Sequence, residues 1–196
     1  MRGHLCLIVI AFSVIGCTTT NNKPINEKSL ADLKNQSIVQ TARKVPDFAA
    51  MTAGKAAFGL LGALAMISEG NSIVADNKVA DPADSIATEL SAALSNAYSV
   101  RVVTPPVTVS SNEVRDISQA SVGAARFVID VQTINWSFGY FATDWTHYRV
   151  IYTAKARLID AQSKSVIAEG FCKRIPESNS NAPTYEIGRA SCRERV

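Results

Sequence analysis

The chain has 196 residues, of which 47% are hydrophobic, 19% charged and 7% aromatic, with a mean hydropathy of +0.08. That length suits one domain of ordinary size with a short appendage, and the composition excludes a disordered, collagen-like or coiled-coil chain. The formal net charge of +3 hints at an acidic partner, but the hint depends on the two ends of the chain.

Met1–Cys17 reads MRGHLCLIVIAFSVIGC. Arg2 supplies a basic start, and Leu5–Ile15 is apolar apart from Ser13. The run is too short to span about 30 Å of hydrocarbon, so the pattern predicts a signal peptide over residues 1–16 and not a transmembrane helix. Its end, Val14-Ile15-Gly16-Cys17, resembles the bacterial lipobox, with Val14 where Leu is commonest. The resemblance implies cleavage before Cys17, a diacylglycerol thioether on its sulfur and, usually, acylation of the new α-amino group. Several acyl chains hold a protein on a bilayer, since each buried methylene contributes about 0.8 kcal/mol. Thr18, in place of Asp, implies sorting to the periplasmic face of the outer membrane. The alternative is an ordinary secretory signal with an incidental Cys17.

At the other end, Ile187–Val196 (IGRASCRERV) breaks abruptly in composition from what precedes it. The string resembles a translated sequencing adapter; the alternative is a natural basic tail. Setting aside Arg2, Arg189, Arg193, Arg195 and Glu194 reduces 20 basic and 17 acidic residues to 16 of each. A neutral remainder carries no overall electrostatic footprint for nucleic acid or an anionic surface. Of the 4 cysteines, Cys6 leaves with the signal, Cys17 is the lipidation candidate and Cys192 belongs to the adapter-like end. Cys172 then has no disulfide partner and reads as a small strand residue.

Residues 17–28 are expected to form a lipidated tether, polar over Thr18–Asn26 and carrying Pro24. Residues 29–80 read as a helical, Ala/Gly-rich region. Leu30, Leu33, Ile38 and Val39 predict a helix over Ser29–Val45, ended by Pro46. Phe48–Ile67 is apolar but for Thr52 and Lys55 and carries Gly54, Gly59 and Gly62 beside Phe58. It admits three readings: a buried helix, a partner or self-association surface where small residues let backbones touch, or a membrane insertion. Lys55 opposes the last by about 2.5–3.5 kcal/mol. Glu69–Ala80 reads as a connection.

Residues 81–186 read as an α+β domain. Asp81, Pro82 and Asp84 predict a capped helix start, and Ile86, Leu90, Leu94 and Tyr98 follow at helical spacing. Val100–Val103 predicts a strand stopped by Pro105-Pro106, with Val107–Val109 a possible resumption. Phe127–Trp136, His147–Ile159 and Val166–Ile175 predict a three-stranded antiparallel meander, with a turn region at Gly139–Thr146 and a hairpin loop at Asp160–Ser165. Pro183–Glu186 reads as the start of a helix that the adapter-like end cuts off.

No catalytic set, metal site or cofactor motif is expected. Gly59–Gly62 lacks the Lys-Ser/Thr of a phosphate loop, and no serine elbow accompanies Asp144 and His147. Asp76, Asp81 and Asp84 lack calcium-loop spacing. The candidate partner surface is Gly54, Phe58, Gly59 and Gly62 together with Tyr140, Phe141 and Trp145 in the aromatic turn, which cannot easily bury all three of its rings.

DPADSI at Asp81–Ile86, the NWSFGYF and TDWTHYRV stretches and RLIDAQSKSVIAEG resemble bacterial lipoproteins of unknown molecular function. The likeness covers roughly half the chain and transfers no catalytic residues. The order helix, strand, meander is also similar to small periplasmic auxiliary lipoproteins of envelope transport machines, a likeness of fold only. These resemblances imply a non-enzymatic, membrane-anchored binding or assembly subunit with a protein partner or self-association. The alternative is a small-molecule or lipid-binding module using the aromatic turn at 138–148.

Overall fold

The computed structural model describes residues 22–51, 59–141, 143–180 and 182–184. The expected signal peptide, Cys17, Gly54, Phe58 and the adapter-like end lie outside the described residues. The elements among these residues are α1 (Glu27–Leu33), β1 (Ser37–Ala42), β2 (Ala49–Ala50), α2 (Gly59–Asp76), α3 (Pro82–Tyr98), β3 (Arg101–Thr108), α4 (Val114–Ala120), β4 (Phe127–Phe141), β5 (Asp144–Asp160) and β6 (Ser165–Arg174).

All the strands join one sheet in the order β3-β1-β4-β5-β6, with β2 alongside β4. The β4-β5-β6 meander is antiparallel as expected, but it is half of a mixed sheet. β1 lies parallel to both β3 and β4 and fills the place between them. Residues 29–80 and 81–186 therefore build the same sheet.

The helix expected over Ser29–Val45 is a short helix followed by a strand. α1 starts on Asn26, whose side chain accepts from the Ser29 N–H at 2.8 Å. The chain then turns at Asn35, which has a φ of 60°. Ile38 enters the hydrophobic cluster on one face of the sheet and Val39 the cluster on the other. A central strand is buried on both faces, so its β-branched pair reads as a continuous apolar run that helical spacing mimics.

α3 forms as its caps predict. The Asp81 carboxylate accepts from the Ala83 N–H at 3.0 Å, Pro82 opens the first turn, and Ser99 closes the helix at a φ of 55°. Its buried stripe differs from the expected one. Ala83, Ala87 and Ser91 face the sheet, Ile86, Leu94 and Tyr98 flank them, and Leu90 is 38% exposed. Small side chains let the helix lie close enough for Gln40 of β1 to donate to Ser91 Oγ at 2.8 Å.

β3 does not stop at its prolines. It occupies an edge, where a missing N–H removes no ladder bond, and residues 104–106 bulge opposite Gln40 before pairing resumes at Val107. α4 has no counterpart in the sequence reading; Ile117 from it covers Val39, Val128 and Ile159 on the second face. The expected helix start at Pro183 is instead an extended contact. The Pro183 carbonyl accepts from the Tyr148 N–H at 2.9 Å, and Thr184 bridges to His147. The expected tether is also shorter, because Lys23 already pairs with Glu169 of β6 and α1 begins at Glu27.

Candidate functional site

β4 and β5 are 15 and 17 residues long and outrun their neighbours. β1 follows β4 only to Ile129, and β6 follows β5 only to Tyr152. Past these points the hairpin is flanked by the two residues of β2, opposite Ser137 and Phe138, and by the bridge at Thr184. The expected turn region is therefore mostly strand, reaching Phe141 and restarting at Asp144.

The aromatic residues form a graded ladder along this end. The Phe48 ring meets buried Trp136 edge-on at 5.0 Å and Phe138 at 5.9 Å. Tyr148 lies edge-on to Phe138 at 5.5 Å and to Tyr140 at 6.3 Å. Tyr140 stacks on Trp145 at 4.3 Å, and Trp145 is 56% exposed. Phe141 departs from the expected surface. It points to the opposite face, is buried, and lies 4.8 Å beneath the Arg149 guanidinium. The ladder slips between Tyr140 and Phe141, and Phe141 lies with Arg149, which pairs with Gly139 on the side away from Tyr140.

Asp144 and His147 sit together, with His147 Nδ1 2.6 Å from Asp144 Oδ2. The carboxylate also accepts from the Thr146 hydroxyl at 2.6 Å and the Thr146 N–H at 3.0 Å. These bonds, the Thr146 hydroxyl first, hold Asp144 well below the usual carboxylate range. The group caps the turn, an Asx-type arrangement. Among the described residues no cluster of three or more His, Cys, Asp or Glu gathers as metal ligands.

α2 changes the reading of the Ala/Gly-rich region. It continues to Asp76, through the stretch expected to be a connection. Gly59 and Gly62 lie in its first turns, but the close approach among the described residues is at Gly70. A Cβ there would lie 1.7 Å from the Phe48 carbonyl oxygen. Asn71 completes the joint, accepting from the Phe48 N–H at 2.9 Å and donating to Asp47 at 2.8 Å. Val74 packs on the core.

The direction of α2 follows from these contacts. Gly70 lies against residues 48–50, level with Trp136 and Phe138, whereas Asp81 beyond its end reaches Thr133 at 2.6 Å. Between Gly70 and Asp81 the chain thus moves along β4 from the level of Trp136 and Phe138 to that of Thr133, and the first half of α2 precedes this joint. Leu64 in that half is 63% exposed. No helix among the described residues is long and apolar enough to cross a membrane.

One charged cluster escaped the sequence reading. Asp130 of β4 is fully buried. Its Oδ1 accepts from Arg43 Nε at 2.8 Å and Thr41 Oγ1 at 2.9 Å, and its Oδ2 from Arg157 at 2.7 and 3.0 Å. Burial alone would raise the Asp130 pKa, but hydrogen bonds and charge from the two arginines outweigh it and lower the pKa. Both arginines also hold the loop before α4, through Ser111 and Asn112. The available signal was an acidic residue amid Phe127–Val131, a run otherwise wholly apolar. The cluster clamps the sheet and leaves its acceptors occupied.

No family model and no curated protein matches the chain. Among solved structures it aligns with the PelC dodecamer from Paraburkholderia phytofirmans at 14% identity and a TM-score of 0.33, covering 88% of this chain and 86% of that one. The lipoprotein GNA1162 from Neisseria meningitidis aligns at 12% identity and a TM-score of 0.31, with 78% and 89% covered. The LpoB C-terminal domain from Escherichia coli aligns at 13% and 0.24, with 76% and 94% covered. Bacterial proteins, one titled a lipoprotein, are thus what the chain is similar to. Scores this low carry no function across, so the chain's own residues must supply it.

Proposed function

We propose that this chain is a lipid-anchored, non-catalytic binding or assembly subunit at the periplasmic face of the outer membrane, held through Cys17. The lipobox-like Val14–Cys17 and Thr18 support the anchor and its location. The observation that carries the binding role is the pair of exposed large apolar side chains, Leu64 on α2 at 63% and Trp145 on the hairpin at 56%. Exposed apolar surface favours association. The partner is a protein surface or a second copy of this chain. The alternative, a small-molecule or lipid-binding module at 138–148, is less well supported, because the tip rings stack on one another and fill the space a ligand would need.

The test compares Leu64→Glu and Trp145→Ala with the parent by analytical ultracentrifugation, cross-linking in cells and thermal melting. Loss of assembly with an unchanged melt is the expected result. Unchanged assembly in both variants overturns this reading. For the anchor, Cys17→Ser should accumulate as an unprocessed precursor and lose fatty-acid labelling; a variant that labels like the parent overturns it.

A further inference from the structure

The face of the sheet opposite α3 is covered by α4 only over its lower half, around Val128 and Ile159. Above the Asp130–Arg157 pair the described residues place no helix over it. Register defines what that face carries. Lys155 pairs with Gln132 and Phe171, Thr153 with Asn135 and Lys173, and Ser137 with Ile151. These side chains therefore share one side of the sheet. Glu169, opposite Arg157, is the acidic member, and Lys23 joins on the edge through its pairing with Glu169. The Lys23 ammonium donates to the Val166 carbonyl, which leaves Lys155, Lys173 and, opposite Gly139 on the same side, Arg149 against one carboxylate, and the face is basic.

The N-terminal segment fixes where this face lies relative to the anchor. Lys23 and Glu169 exchange backbone hydrogen bonds at 2.8 and 2.9 Å, and the Asn22 side chain accepts from the Phe171 N–H at 3.2 Å. The antiparallel course means the chain, traced back toward Cys17, heads along β6 toward Lys173. Five residue steps separate Asn22 from Cys17, a reach of at most about 18 Å at 3.3–3.6 Å per residue.

We infer that this uncovered sheet face lies on the bilayer, with Lys155 and Lys173 against anionic phospholipid headgroups and Phe171 and Ile151 toward the interface. The inference rests on the anchoring reading above. The short reach keeps β6 near the membrane, and charge complementarity selects which side of the sheet turns to it. α2, whose Val74 packs on the other face of the sheet, remains free for a partner.

The test is acylation of lysines by a water-soluble ester, read residue by residue by mass spectrometry. The full lipidated chain is labelled in neutral detergent, on vesicles of phosphatidylcholine with phosphatidylglycerol, and on vesicles of phosphatidylcholine alone. Lys155 and Lys173 should be protected severalfold on the anionic vesicles. Lys78, after α2, and Lys164, in the β5–β6 turn, should label alike in all three media. Two lysines at an anionic surface are worth about tenfold or more in partitioning, so protection should fall on phosphatidylcholine alone. Equal labelling of all four lysines overturns the docking face, and equal protection on both vesicle types overturns the headgroup contact. The mass of the N-terminal peptide separates the two readings. An unmodified Cys17 overturns the anchor and the reach argument with it, whereas an acylated Cys17 beside unprotected lysines overturns only the face.

Discussion

The two ends of the sheet are built on different terms. At the lower end, where β1, β4 and β5 lie side by side, both faces are covered: α3 closes one with Ala83 and Ala87, and α4 closes the other with Ile117. A fully buried carboxylate survives there because Arg43, Arg157 and Thr41 occupy its oxygens. At the upper end β4 and β5 continue as a hairpin with fewer neighbours, and its aromatic ladder runs from buried Trp136 to exposed Trp145. The lower end buries its charge and most of its apolar side chains, with Val122 after α4 exposed at 72%. The upper end leaves Trp145 exposed at the tip.

Breaking the lower end should have the largest effect. Asp130→Ala strands two buried or half-buried arginines, and removing one partner of a buried pair costs about 3–5 kcal/mol. The urea midpoint should fall accordingly, with both ends of the sheet melting together. A small loss would mean that water reaches the arginines and that the lower end is less closed than described.

Gly70→Ala comes next, because it tests the joint that holds α2 to the upper end. A Cβ at 1.7 Å from the Phe48 carbonyl oxygen cannot be accommodated without backbone movement, and such overpacking costs about 1–3 kcal/mol. Proteolysis should first rise within α2, since its other anchors, Asn71 and Val74, lie on the same short stretch. Uniform proteolysis across the chain would place Gly70 within the main folding unit.

Acid should act on the lower end with a defined sign. The pKa of Asp130 is lowered in the folded state, so its contribution is complete above the unfolded carboxylate value of about 3.9 and is lost as pH falls through the lowered folded value. Asp130→Asn should be less stable at neutral pH and show a shallower acid limb in urea midpoints. An acid limb parallel to the parent's would assign acid sensitivity to other carboxylates, among them Asp144 and Asp160, which are also held low.

The smallest stability effect belongs to the exposed tip. Trp145→Ala should move stability by no more than about 0.5 kcal/mol while weakening assembly. A melt lowered well beyond that would make the Tyr140–Trp145 stack a structural element and dissolve the contrast between the ends.

Local chemistry in the sequence was enough to determine the start of α3, the β5–β6 hairpin and the antiparallel meander. Asp81-Pro82 caps a helix by its own hydrogen bond and fixed φ, and strand alternation needs no distant partner to be seen. The aromatic turn was legible as a cluster, but not which of its rings reach solvent. Only the tertiary structure decided that Ser37–Ala42 is a central strand, since its apolar run fits either period until β3 and β4 flank it. The same holds for Asp130, whose burial depends on arginines 87 and 27 residues away. It holds again for Phe141, whose face follows from the slip in the β4–β5 ladder, and for Gly70, whose need for a bare Cα arises from Phe48 meeting it across the fold. Capping and alternation are properties of neighbours in the chain; burial on two faces, ion pairing and close approach are properties of neighbours in space.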